Sequence, residues 1–131
     1  AVAGDPLVER AVADLGGRSF TVADHDRARY HAAAVVASNH LVALFGQVER
    51  IAGPVGVPVE AYLDLARATL DNVAALGPAA ALTGPVARGD WPTVARHLAA
   101  LPPEERPAYL ALAAAARRLV DDDGLPPDLE P

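Results

Sequence analysis

Three proline-bearing breaks, Gly53-Pro54, Gly77-Pro78 and Pro102-Pro103, cut the chain into pieces of helical length. Proline has no amide hydrogen and cannot continue a helix, while glycine tolerates the left-handed conformation that closes one. Between the breaks apolar residues recur at helical spacing. The pattern predicts a long helix capped by Asp24 and running to about residue 52, a second over 58–76, one further turn at 79–82, a loop over 83–90, and helices over 91–101 and 104–120. Asp90 reads as the N-cap of the fourth of these, with Pro92 in its first turn. Upstream, Asp5-Pro6 opens an amphipathic helix whose apolar side carries Leu7, Val8, Ala11, Val12 and Leu15, and Gly16-Gly17 ends it. Ser19-Phe20-Thr21-Val22 reads as a lone strand, which needs a partner from outside the chain. The expected fold is therefore all-α, a bundle of about five helices with one short N-terminal strand.

The 131 residues are 52% hydrophobic and 21% charged, enough apolar material for one core and too much for a disordered chain. Cysteine is absent, which removes disulfides, thiolate metal sites and thiol nucleophiles. All 11 positive residues are arginine, which removes Schiff-base chemistry and a phosphate-loop lysine. A net charge of −6 has the wrong sign for a nucleic-acid binder. The first fifteen residues lack the architecture of a secretory signal, and a cytoplasmic location is expected. Residues 32–37 and 41–45 are apolar on every side, so this helix is expected at the buried centre of the domain. It is not read as a membrane span, because Ser38-Asn39-His40 would lie at mid-bilayer. The acidic, proline-rich segment 121–131 reads as a flexible tail, frayed or draped on the surface.

None of the pairs among His25, His31, His40 and His97 is spaced three or four apart, so no metal site on one helix is expected. The long helix has a polar strip: at about 100° per residue, Ser38 falls about 20° and Asn39 about 80° from His31. Such groups either form a satisfied structural network or face a ligand, since burial without partners costs on the order of 1–3 kcal/mol each. Asn72, near the end of the second helix, either holds the following loop or faces a ligand. In the loop itself Thr83 supplies a hydroxyl, and Arg88 places a cation beside a helix start whose free amides already attract anions. The alternative is that Asp90 fills that helix start and Arg88 pairs with an acid. Glu104, Glu105 and Arg106 read as first-turn charges, Arg117 and Arg118 as last-turn charges, and Trp91 as a packing anchor.

Three strings, Tyr30 to Asn39, Leu70-Asp71-Asn72 and Ala81 to Asp90, together resemble one family, a C-terminal domain called domain of unknown function 2520. The resemblance covers roughly residues 18–120, and Leu-Thr-Gly-Pro-Val-Ala-Arg-Gly-Asp is its most specific part. That family is similar to pyrroline-5-carboxylate reductase, deazaflavin-dependent NADP oxidoreductases and the 6-phosphogluconate dehydrogenase group. The resemblance implies a helical domain that dimerises and closes over substrate, behind an N-terminal Rossmann-like domain that binds NADP or NAD. On this reading residues 1–23 are the junction to that absent domain, 24–120 the dimerisation and substrate domain, and 121–131 the tail. No cofactor is expected on this piece, which has no Gly-x-Gly-x-x-Gly fingerprint. The expected partners are a second copy, the Rossmann-like domain and a small anionic keto or imino acid, with no nucleic acid and no membrane. Ser38, Asn39, Asn72, Thr83 and Arg88 would bind substrate. The hydroxyacid dehydrogenase relatives carry a helical lysine four residues before an asparagine. If Asn39 matches that asparagine, Val35 stands where the lysine should be. His31, one turn back, is then the candidate for proton transfer. The alternative is a non-catalytic helical dimerisation module.

Overall fold

The computed structural model describes residues 6–120 and 124–129. Among them the regular elements are all helical. They are α1 (Pro6–Asp14), α2 (Arg27–Val35), α3 (Leu41–Ala52), α4 (Glu60–Leu76), α5 (Pro78–Ala81), α6 (Pro85–Arg88), α7 (Trp91–Ala100) and α8 (Arg106–Arg117). A five-residue π-helical segment, Val36–His40, joins α2 to α3 in one rod. That makes five long helical rods and two single turns, α5 and α6, close to the expected all-α bundle. The expected strand is not formed: residues 18–23 have no regular structure, and Phe20, 51% exposed, rests its ring 5.5 Å from that of Tyr30. A strand needs an edge to bond to, and no described residue offers one. The proposed Asp5 cap lies outside the described residues.

The chain divides into two units, residues 1–44 and 45–131. In the first, no described residue of α1, α2 or the π segment is buried. This corrects the expectation of a central, buried helix: Val36 is 57% and Val42 73% exposed, and the alanine run at 32–34 is exposed as well. The helix forms because its alanines favour helix, not because the rest of this unit covers it. The stretch Asp24–Val55 is long and apolar enough to cross a membrane by length and composition alone.

The second unit has the core. Val94, fully buried on α7, meets Val86 of α6 and Ala113 of α8, with Trp91, Leu98, Tyr109 and Leu110 packed around them. Leu125 and Leu129 complete the cluster. The segment read as a surface tail thus contributes two core residues between 124 and 129, while 121–123 and 130–131 lie outside the described residues. Two leucines withdrawn from water outweigh the polar character of their neighbours. The guanidinium of Arg117 stands 5.6 Å from the centre of the Trp91 ring, a cation–π contact that fastens α8 to α7.

Glu105 also departs from its expected place. It is not a solvated first-turn charge but 5% exposed, paired through both carboxylate oxygens with Arg50 of α3. The Gln47 amide donates to the Glu105 carbonyl at 3.0 Å. These three groups tie α3 to the start of α8.

Candidate functional site

The Gly77-Pro78 break ends α4 and turns the chain straight into α5, and Leu82-Thr83 leads from there toward α6. The C-terminal half of α4 thereby faces the segment 78–83 across a cavity of about 410 Å³. Leu65, Ala68, Val73 and Leu119 give it apolar walls, and Asn72 and Thr83 bring polar groups to it. Two residues selected separately from the sequence therefore line one pocket. Among the described residues, no hydrogen bond ties the Asn72 carboxamide to the loop that follows, so its donor and acceptor are available to a ligand. Thr69 lines the pocket too, but its hydroxyl donates to the Leu65 carbonyl at 2.9 Å. The only sequence signal for Thr69 is its place three residues before Asn72, on the same helix face.

Arg88 does not line this pocket. It ends α6, is exposed, and is followed by Gly89 at φ +67°. The bonds Gly89 N–H to Val86 C=O (3.2 Å) and Asp90 N–H to Pro85 C=O (2.9 Å) make a Schellman closure, for which the left-handed glycine is required. That closure delivers Asp90 to the start of α7. There its carboxylate accepts from the Thr93 amide at 3.2 Å and from the Thr93 hydroxyl at 2.8 Å. These bonds, with smaller help from Arg96 and Arg88, hold the Asp90 carboxyl below its ordinary pKa. The anion seat imagined at this helix start is thus occupied by the chain's own carboxylate, and Arg88 lies near it as a counter-charge.

His31, Ser38 and Asn39 lie in the N-terminal unit. All three are exposed, with His31 on α2 and the other two in the π segment. The Ser38 hydroxyl lies 2.7 Å from the Ala34 carbonyl and 2.8 Å from the Asn39 carboxamide oxygen. It has one proton, so it satisfies one of these acceptors at a time. A π turn closes its hydrogen bonds over five residues rather than four, so the rotation per residue falls and the α-helical angles between His31, Ser38 and Asn39 no longer hold. Turns of this kind inside α-helices recur at functional sites. Among the described residues, no group of three or more histidines and acids is placed to hold a metal ion.

The family model for a domain of unknown function (DUF2520) matches residues 2–116. The chain belongs to this family. No curated protein and no solved structure matches it. The match spans all six sequence-selected site residues of this DUF2520 chain.

Proposed function

We propose that this DUF2520 domain is the substrate-binding and dimerisation part of a cytoplasmic, Rossmann-type NAD(P)-dependent oxidoreductase acting on a small keto or imino acid. The observation that carries the reading is the convergence of Asn72 and Thr83 on one cavity large enough for a small metabolite. The π turn holding Ser38 and Asn39 supports it as a second cluster of polar groups, within the apolar middle of the long rod. On this reading Asn72 and Thr83 orient the substrate in that cavity. On the same reading, which follows the family resemblance, NADP or NAD is held by a separate N-terminal domain. A second copy covers the apolar rod of the first unit, which has no buried residue of its own among those described.

The test is hydride transfer from NADPH to small oxo and imino acids by the protein together with its nucleotide-binding domain. Asn72→Ala and Thr83→Val should each raise KM about five- to tenfold, the loss of one neutral hydrogen bond, without moving the melting temperature. Lower melting temperatures with unchanged kinetics would instead favour a non-catalytic helical module.

A further inference from the structure

A second cavity, of about 340 Å³, shares Leu82 and Thr83 with the first as lining residues. Its walls are mostly apolar: Leu82, Pro85, Val86, Leu112, Ala113 and Ala116. The polar atoms come from Gln47, Thr83, His97 and Tyr109, and no arginine or acid lines it. His97 Nδ1 and the Tyr109 hydroxyl are 2.8 Å apart, with the rings edge to face at 89°. Gln47 is 8% exposed; its amide N–H is committed to the Glu105 carbonyl, and no described residue donates to its carboxamide oxygen.

We propose that this cavity binds a small neutral molecule, apolar over most of its surface and carrying one hydroxyl or carbonyl oxygen. Three features define that class. The absence of any arginine in the wall leaves a carboxylate or phosphate without a guanidinium to pair with, and desolvating one unpaired is expensive. The apolar walls reward a hydrocarbon body. The His97–Tyr109 pair is reversible as a donor. When the imidazole Nδ1–H donates to the phenol oxygen, the phenol O–H is left for a ligand carbonyl. When the phenol donates to Nδ1, its oxygen lone pairs are left for a ligand hydroxyl. Burial raises the pKa of Tyr109, so the phenol keeps its proton at neutral pH. The proposal stands apart from the role given to Asn72, which lines only the other cavity.

Benzyl alcohol, toluene and benzoate serve as probes, titrated into the full chain while NMR signals of His97, Tyr109, Ala113 and Ala116 are followed. Benzyl alcohol should shift these signals saturably, and benzoate should bind at least about tenfold more weakly, the equivalent of one unpaired polar group. Tyr109→Phe should weaken benzyl alcohol about five- to tenfold and leave toluene unchanged. Ala116→Leu fills the cavity and should abolish binding. Leu112→Trp, at a residue 45% exposed that can be enlarged without disturbing the core, should do the same. Asn72→Ala should change nothing, which separates failure here from failure of the oxidoreductase reading. Saturable binding that survives both filling substitutions, equal affinity for benzoate, or no shift at these residues overturns the proposal.

Discussion

Asp90 bonds the first turn of α7 with both of its carboxylate oxygens, and those bonds also lower its pKa. A short polar side chain before a proline-containing first turn is a local signal, so this residue was readable without any tertiary information. Asp90→Ala should lower the melting temperature by several degrees, while Asp90→Asn, which keeps an acceptor, should retain most of the stability; calorimetry of both variants checks this. Glu105 is the opposite case. Its partner Arg50 is 55 positions away, and nothing in the Pro-Glu-Glu-Arg string distinguishes it from an ordinary solvated acid. Hydrogen bonding to Arg50 holds the Glu105 pKa below its ordinary value. A depressed carboxylate stabilises the fold above its unfolded pKa of about 4, and that contribution disappears as pH falls through the lower folded value. Glu105→Gln should therefore melt below the wild type at neutral pH, and the gap should close on acidification. A gap that stayed constant from neutral to acidic pH would show that the ion pair contributes nothing.

At the level of elements, the glycine and proline punctuation located the helices well. It placed a single turn at 79–82, one residue along from the observed Pro78–Ala81, and α7 to within a residue of its end. It missed α6, because one turn closed by Gly89 has too few residues to show a period. It also missed the π segment, since the wider turn arises from hydrogen bonding along the backbone and leaves no mark in the spacing of apolar residues. His31, Ser38 and Asn39 lie on one rod, but α-helical angles between them do not carry across the π segment. The last described element shows how burial overrides composition. Leu129 closes a 3-10 turn, Pro127–Leu129, and is 8% exposed against the α6–α7–α8 core. Leu129→Ala should cost roughly 2–4 kcal/mol in denaturant unfolding, where a surface leucine would cost almost nothing.

At the scale of the whole molecule, the N-terminal unit leaves Leu7 70%, Leu15 88%, Val36 57% and Val42 73% exposed. In the proposed function this is the surface that a second copy would cover. The expected outcome is a homodimer by light scattering at high micromolar concentration, converted to monomer by the double change Val36→Glu and Val42→Glu. A wild-type monomer under those conditions would remove the second copy from the proposed function. What the amino-acid order decided unaided is whatever acts within about four residues: the all-helical class, the helix ends at glycine and proline, and the Asp90 cap. Only the tertiary structure decided which side chains meet, bringing Asn72 to Thr83, Glu105 to Arg50 and Leu129 to Val94, and leaving residues 32–34 exposed. Those outcomes depend on contacts between distant parts of the chain, where a partner's identity is set by packing and not by spacing.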